Sequence, residues 1–367
     1  MVYLEQPSGT GFSYSDTKDD YKTNDDQSTI DNYVTIQEFF KRFPEKASNP
    51  LYTTSESYGG HFMPLIAQKI LQENKSPTLG YSTRLNYKGF AVGNPFTNRD
   101  SEYPGMFYTY WGKQILPKTT WDKYLKECVN SPKKDLNLTN CEMLEIRMGT
   151  EVGNLNPYAV DYPVCVTDEL TGKKMRGKGS RHQMTWALNF MLPDHLKAVI
   201  MPTTNELYEP CEEDYNIKYL NRADVKAAIH VKSDIQWDEC SSELRYNTLD
   251  RMVSMVPVYQ DILAQDANLN ILVYSGDDDA VCGTIGTQEW IWSLGYSPVS
   301  KEETWKSWMY NGQVAGFATR FDTSATNNKL SFVTVHKAGH EVPAYVPQEG
   351  FDLFSKYLSG YWFQQLE

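Results

Sequence analysis

The sequence predicts an α/β fold with a mostly parallel central sheet, and two observations support this prediction. Strand-like apolar runs alternate with stretches of helical spacing in the first hundred residues and again towards the C-terminus, which is the signature of βαβ units. A serine, an acidic run and a histidine each follow directly after a predicted strand. Because the carboxyl ends of parallel strands lie at one edge of a sheet, we expect these polar groups to gather there.

Length and charge exclude several classes of protein. The 367 residues suffice for a large core, as one domain with insertions or as two domains, and the composition, 40% hydrophobic and 22% charged, is that of a globular protein. A net charge of −12 argues against a nucleic-acid partner. The sequence contains no apolar run of the ~18 residues that a membrane-spanning helix needs. The first residues lack a signal-peptide pattern, so we expect any secretory signal to lie upstream of Met1.

The first forty residues predict a strand, a loop and a helix. Val2, Tyr3 and Leu4 read as the end of a buried strand, and a Gly-rich loop follows over residues 6–15. Since no lysine follows the glycines, this loop is a poor candidate for a phosphate site. Apolar residues at helical spacing then predict a helix over residues 30–43.

Residues 51–71 predict a strand, a tight turn and a helix, with Ser57 at the turn. A serine placed there projects its hydroxyl clear of the sheet, near backbone N–H groups at the start of a helix. The general pattern is G-x-S-x-G, in which Ser55 replaces the first glycine. By itself the motif fits either a nucleophile or an ordinary loop. The next predicted strand, residues 85–92, ends at Gly93 and Asn94.

The pattern changes over residues 101–225, which carry four of the six cysteines, many aromatic residues and no regular alternation. We interpret this block as a helical cap inserted between two parts of the core, residues 1–100 and 226–367. The basic stretch 173–181 is predicted to be an exposed loop, with a protease-sensitive linker as the alternative.

The α/β pattern resumes towards the C-terminus. The elements predicted there are helices 224–229 and 252–263, strand 269–276, strand 330–335 and helix 348–358. Asp277, Asp278 and Asp279 follow the first of these strands, and His340 follows the second. Three consecutive acids cannot all point inward, so we expect at least one of them to be only a turn residue.

The order serine, aspartate, histidine is that of the α/β-hydrolases. In that chemistry the serine attacks a carbonyl carbon, the imidazole carries the proton, and the carboxylate orients the imidazole. Each residue also has a structural alternative: His340 as a core or capping residue, and the acids as a solvated turn or a cation site. His61 is expected to pack against the sheet, and His336 is a competing histidine near the end of the same strand.

Several blocks along the whole chain resemble the serine carboxypeptidase family. They are E-S-Y-G-G-H-F-M-P at 56–64, Q-P to G-F-S-Y-S at 6–15, G-N at 93–94, S-G-D-D-D at 275–279 and G-H-E-V-P at 339–343. The resemblance implies an α/β-hydrolase fold and a carboxypeptidase that works through an acyl-enzyme at acid pH. It implies no metal or organic cofactor, with peptides as substrates and a homodimer left open.

The resemblance also assigns roles to residues. It makes Ser57 the nucleophile, His340 the base and Asp279 the third triad member, with the Tyr58 N–H in the oxyanion hole. It places the substrate near Glu56, Gly59, Asn94, Cys282 and Glu341. Glu56 occupies the position of an acid that hydrogen-bonds the terminal carboxylate of the substrate. Glu341 corresponds to the S1′ subsite, and we hypothesise that its charge favours a basic C-terminal residue.

The cysteines follow the same resemblance. It implies disulfides Cys128–Cys141 and Cys165–Cys211, and makes Cys282 a thiol near the active site. Cys240 matches the partner of a cysteine in an N-terminal W-N-G-G-P-G-C block of the family. This sequence lacks that block, so we expect it to lack the first strands of the family and the loop that supplies a second oxyanion N–H.

Two other functions stay open at this point: an acyltransferase that uses the same triad, and an inactive fragment or pseudoenzyme that acts as a binding protein. The resemblance and two glycosylation sequons, at Asn74 and Asn137, indicate a vacuolar, lysosomal or secreted protein.

Overall fold

The computed structural model describes residues 1–130, 138–162, 164–167, 174–177 and 211–360. The strands are β1 (Lys22–Thr23), β2 (Leu51–Glu56), β3 (Tyr87–Gly93), β4 (Val164–Thr167), β5 (Lys174–Gly177), β6 (Arg245–Tyr246), β7 (Asn270–Gly276), β8 (Lys306–Tyr310), β9 (Gln313–Phe321) and β10 (Lys329–Val335). The helices are α1 (Asp25–Arg42), α2 (Gly59–Lys75), α3 (Arg99–Gly112), α4 (Lys118–Tyr124), α5 (Leu138–Val152), α6 (Cys211–Leu220), α7 (Ala223–Ala228), α8 (Val256–Ala264), α9 (Thr284–Ser293), α10 (Val342–Tyr345) and α11 (Pro347–Ser359).

A six-stranded sheet in the order β2-β3-β7-β10-β9-β8 forms the centre of the molecule. The first four strands pair in parallel, whereas β9 and β8 pair antiparallel. Two short sheets lie outside it, the parallel pair β1–β6 and the antiparallel pair β4–β5. The predicted α/β fold with a mostly parallel sheet is therefore confirmed.

Both faces of the sheet are buried, which explains the uninterrupted apolar runs of its central strands. On β7, Ile271 and Val273 join one cluster with residues of α1, α2, α8 and α9. Leu272 lies between them in sequence and joins a second cluster with residues of α11. Because successive side chains of a strand point to opposite faces, β7 supports both helical layers.

Helices α3, α4 and α5 form a third cluster with the loop that follows β7. Met106, Trp121 and Met148 are buried there against Ala280 and Cys282. The described part of this block is mostly helical, although it also contains the strand pair β4–β5. Its separation from the core as a cap, residues 101–225, stays a prediction.

Several sequence-based predictions were wrong in detail. Val2 and Tyr3, predicted as a buried strand end, are 65% and 86% exposed and lie in no strand. A strand needs a hydrogen-bonded neighbour, and among the described residues this segment pairs with none. Part of the predicted loop at 173–181 forms β5, which pairs with β4; residues 173 and 178–181 lie outside the described part of the chain.

The β8–β9 hairpin was not predicted, although its signal is present in the sequence. Asn311 and Gly312 connect the two strands with positive φ angles of 48° and 74°. Asn-Gly favours this left-handed backbone and is a strong hairpin signal. The hairpin extends the parallel strands with an antiparallel edge.

Two predictions on covalent modification can be compared with the structure. Cys128 and Cys141 form the predicted disulfide, whereas the side chains of Cys165 and Cys211 lie outside the described part. Asn74 is a sequon asparagine, yet its amide donates to Leu85 O and accepts from Leu85 N, both at 2.9 Å. Asn137 is not among the described residues.

In the described chain no helix combines the length and apolar character that a bilayer span requires.

Candidate active site

Ser57 lies at the turn between β2 and α2 in a backbone conformation that is rare for its residue type. Its φ is +57°, in the left-handed region that costs a non-glycine residue about 1 kcal/mol or more. Hydrogen bonds hold this conformation: Ser57 N donates to Gly93 O, and the N–H groups of Gly60 and Phe96 donate to Ser57 O. The turn, residues 55–60 (hereafter the Ser57 turn), is thus fixed by its own helix and by the end of β3.

Small residues make this turn sterically feasible. A Cβ on Gly59 would lie 2.6 Å from Ser55 Cβ, and a Cβ on Gly60 would lie 2.3 Å from Phe96 O. Ser55 can therefore replace the first glycine of the motif because the residue facing it is a glycine. Gly59, predicted to contact substrate, is buried and packs against Ser55.

Asp279 is the member of the acidic run that reaches His340. Its Oδ2 lies 2.6 Å from His340 Nδ1, and both residues are buried. Asp279 also accepts hydrogen bonds from Asn94 Nδ2 at 2.9 Å and from the N–H of Val281 at 2.7 Å. The carboxylate therefore has a full set of donors, and it orients the imidazole so that Nε2 points away from the carboxylate.

The other two acids have different partners. Asp277 Oδ2 pairs with His336 Nδ1 at 2.7 Å near the surface. Asp278 is buried, pairs with Lys113, and accepts the N–H of Asp161 at 3.0 Å. The sequence left the choice among the three acids to the family resemblance, and the structure pairs Asp279 with His340. The competing histidine, His336, pairs with Asp277 instead.

Glu56, the residue before Ser57, faces His340. Its Oε1 lies 3.9 Å from His340 Nε2, and its side chain is 33% exposed. Burial raises the pKa of Glu56 to about 7, although the charge of His340 opposes this rise. The carboxylates of Glu341 and Asp279 add to it. Glu56 is therefore an acid that is protonated in mildly acidic solution.

The pKa of His340 moves in the direction that its acidic neighbours dictate. Burial alone lowers it, but the charge and hydrogen bond of Asp279, followed by the charges of Glu56 and Glu341, raise it to about 9. Ser57 and His340, both in the described part of the chain, form no hydrogen bond with each other. Catalytic hydrogen bonds are often long in free enzymes and shorten when substrate binds.

The remaining predicted site residues take different positions. Asn94 is fully buried and bridges strands, since it donates to Asp279 and accepts from Gly276 N at 3.0 Å. Cys282 is fully buried, and its N–H donates to Asp279. Glu341 is exposed beside His340. Asn94 and Cys282 therefore support Asp279 from within the protein, while Glu341 is open to solvent.

Asp279, Cys282 and His340 bring one potential metal ligand atom each to within 4.8 Å of one another. A thiol must lose its proton to bind a metal well. Burial raises the pKa of the Cys282 thiol, and the charge of Asp279 raises it further. The cluster therefore combines a neutral thiol with an aspartate that already accepts several hydrogen bonds, and this set is poorly suited to bind a metal ion.

A comparison with protein families identifies the chain. The family model described as "Serine carboxypeptidase" matches residues 1–360. The chain belongs to the serine carboxypeptidase family. Its curated relatives include "Serine carboxypeptidase-like 26" of Arabidopsis thaliana, 32% identical over 98% of this chain and 72% of that protein. "Serine carboxypeptidase-like 25" of the same plant is 31% identical, with the same coverage.

The fold agrees with this membership. The crystal structure of Kex1(delta)p, a prohormone-processing carboxypeptidase from Saccharomyces cerevisiae, aligns with a TM-score of 0.68 and 19% identity. The alignment covers 96% of this chain and 73% of that chain. The chain has the α/β-hydrolase fold that the order of Ser57, Asp279 and His340 predicted.

One cluster beside the site was not predicted from the sequence. His61 Nδ1 lies 2.8 Å from Asp25 Oδ2, and Asp25 Oδ1 accepts the hydroxyl groups of Tyr58 and Tyr246. His61 was expected only to pack against the sheet; it is fully buried, and its polar partner lies on α1. A residue 36 positions earlier in sequence gives no local signal for such a contact.

Proposed function

We propose that this chain is a serine-type carboxypeptidase that removes C-terminal residues from peptides through Ser57, His340 and Asp279. The observation that carries the proposal is the contact between His340 and Glu56, because it brings the Asp279–His340 pair to the residue that precedes Ser57. Family membership supports the same reaction class.

In this mechanism Ser57 Oγ attacks the carbonyl carbon of the last peptide bond while His340 Nε2 takes the hydroxyl proton. The tetrahedral intermediate collapses, and His340 returns the proton to the leaving amine. Water then attacks the acyl-enzyme with His340 again as base, which releases the shortened peptide. Asp279 keeps the Nδ1–H tautomer of His340 and stabilises the imidazolium that forms.

The oxyanion is stabilised at the start of α2. The Tyr58 N–H follows Ser57 directly, and Tyr58 is the N-cap residue of that helix. Backbone donors and the helix dipole favour negative charge at this end of a helix. One such donor is worth about 2.7–4 kcal/mol in the transition state.

Glu56 accounts for the choice of the C-terminal bond. A protonated carboxyl can donate a hydrogen bond to the terminal carboxylate of a peptide, whereas an ionised one repels it. With a pKa of about 7, Glu56 is mostly protonated in acid, so substrate binding is favoured there.

The protonation states of His340 and Glu56 are coupled. Ionised Glu56 is one of the charges that raise the pKa of His340. Protonation of Glu56 removes that charge and thereby lowers the pKa of His340. This coupling brings the titration of His340 closer to that of Glu56. We propose mildly acidic pH, where Glu56 is protonated, as the range for peptide hydrolysis.

The test combines a fluorophosphonate probe with a blocked dipeptide that has a free carboxyl end. We expect the probe to label the folded chain at Ser57, and Ser57→Ala to abolish both labelling and release of the terminal amino acid. Transfer from sugar-ester donors without peptide hydrolysis would instead indicate an acyltransferase. A folded chain that is not labelled would indicate a binding protein.

A further inference from the structure

A second polar cluster contacts the Ser57 turn from the side of Tyr58. It consists of Asp25, Tyr58, His61 and Tyr246, and we call it the Asp25 network. The carboxylate of Asp25 accepts hydrogen bonds from Tyr58 Oη at 3.1 Å, Tyr246 Oη at 2.6 Å and His61 Nδ1 at 2.8 Å. Asp25 is 7% exposed and His61 is fully buried, so these bonds lie in a low-dielectric interior, where each of them is strong.

The aromatic ring of Tyr58 is held on its face as well as at its tip. It stacks on the His61 ring with centroids 4.6 Å apart and 14° between the planes. Phe62 and Tyr246 contact it edge-on, at 5.2 Å and 5.6 Å. A ring fixed at both its hydroxyl and its face leaves the Tyr58 side chain a single orientation.

That side chain belongs to the residue whose N–H follows the nucleophile. The peptide between Ser57 and Tyr58 has two ends. Its carbonyl end accepts hydrogen bonds from Gly60 and Phe96. Its nitrogen is bonded to the Cα of Tyr58. The Asp25 network fixes the direction of the side chain on this Cα. The strained φ of Ser57 needs such over-determination to persist.

Asp25 is suited to this role because it stays charged. Burial raises the pKa of Asp25, but the hydrogen bonds from His61, Tyr246 and Tyr58 more than offset this effect and leave it below its usual value. Hydrogen bonds to an ionised acceptor are about twice as strong as neutral ones. One carboxylate thus holds three side chains that come from two elements other than its own helix α1.

We propose that the Asp25 network is a positioning device that holds the Tyr58 N–H in line with the oxyanion of the reaction. The proposal rests on the proposed carboxypeptidase function. A buried network can position a catalytic group or only stabilise the fold. A network that only stabilises the fold would affect thermal stability without affecting the transition state specifically.

The test is Asp25→Asn, which keeps the size of the side chain and removes its charge. We expect kcat to fall by about 10- to 100-fold, because misplacement of a catalytic group by about 1 Å costs about that much, while KM changes by less than about 3-fold. A peptide aldehyde, whose hemiacetal oxygen needs the same donor, should lose affinity in proportion to kcat. Affinity for the shortened peptide product should stay within about 3-fold.

Glu73→Gln is the matched control, since Glu73 is also a buried, hydrogen-bonded carboxylate and lies on α2 itself. It lies near the opposite end of that helix, where it pairs with Lys69 at 2.9 Å and accepts the N–H of Thr78 at 2.8 Å. We expect Glu73→Gln to lower the melting temperature and to leave both kcat and aldehyde affinity unchanged.

If Asp25→Asn does not fold, Tyr246→Phe tests the same proposal, because it removes only the hydroxyl group that donates to Asp25. We expect a smaller fall of kcat and aldehyde affinity, in the same ratio. The inference is overturned if the folded variants bind the aldehyde as well as the unmodified chain, or if they behave like Glu73→Gln. Failure of the unmodified chain to react with either the fluorophosphonate or the peptide would overturn the proposed function and the inference with it.

Discussion

Two buried histidine–aspartate pairs flank Ser57 in the structure. His340–Asp279 contacts Glu56, the residue before the serine, and His61–Asp25 contacts Tyr58, the residue after it. In each pair Nδ1 faces the carboxylate, at 2.6 Å and 2.8 Å, and both imidazoles are buried.

The difference between the pairs lies at the other ring nitrogen. His340 Nε2 faces Glu56, whose side chain is 33% exposed, and in the proposed mechanism this nitrogen exchanges a proton with the substrate. His61 Nε2 is buried and has no hydrogen-bond partner among the described residues. In both pairs the aspartate orients the imidazole, and under the proposed function only His340 acts as a base. Burial and pairing alone do not distinguish the two roles.

The largest expected effect tests this distinction directly. His340→Gln removes the base and should lower kcat by about 10⁶-fold, as expected for loss of a triad histidine. His61→Gln keeps an N–H donor for Asp25 and should lower kcat by about 100-fold or less. Steady-state kinetics on a blocked dipeptide measure both. Equal losses in the two variants would contradict the comparison.

The next prediction concerns the acid that His340 faces. The pKa of Glu56 is raised to about 7, so its protonated form, which binds a carboxylate, prevails below pH 7 and is lost above it. Relative to the amide of the same peptide, a peptide with a free carboxyl end should lose kcat/KM by about 10-fold per pH unit above 7. This ratio cancels the titration of His340, whose pKa is about 9. The same fall should be absent in Glu56→Gln.

The amide of the same peptide is the control for this profile, because it carries no terminal charge. Its kcat/KM should not fall at pH 7 in either protein, and it should rise as His340 loses its proton. A fall at pH 7 for the amide would show that another group controls the profile.

The smallest effect is expected at Glu341, which is exposed beside His340. Its charge should favour peptides that end in arginine over those that end in leucine. An exposed ion pair is worth about 0.2–1 kcal/mol, so the preference should be about fivefold or less and should shrink at high salt. Glu341→Gln should remove it, and equal turnover of both peptides by both proteins would contradict the hypothesis.

The sequence predicted the parts of the site that follow from local order. Ser57 and His340 come after strand-like runs, and the carboxyl ends of parallel strands lie together, so their proximity could be expected. Asp279 could not be separated from Asp277 and Asp278 by pattern alone. The choice depends on the turn after β7, where the N–H groups of Val281 and Cys282 point at Asp279.

Contacts between segments that are distant in sequence could not be predicted from the sequence pattern. Asp25 meets His61 and Tyr246 only because α1 packs on α2 and β1 pairs with β6. The apolar residues 2–4 resembled a strand, but their partner in a sheet is not specified by their own sequence. The location of the protein, the suggested homodimer and the division into core and cap stay predictions.

The position of β2 has a consequence for how the Ser57 turn is lost on unfolding. This strand leads into Ser57, yet it is the edge strand of the described sheet, and none of its six residues is fully buried. Edge segments with few buried contacts open more easily than the core. Amide hydrogens of β2 should exchange with solvent before those of β7, so that heat or denaturant disrupts the Ser57 turn while most of the sheet is still folded.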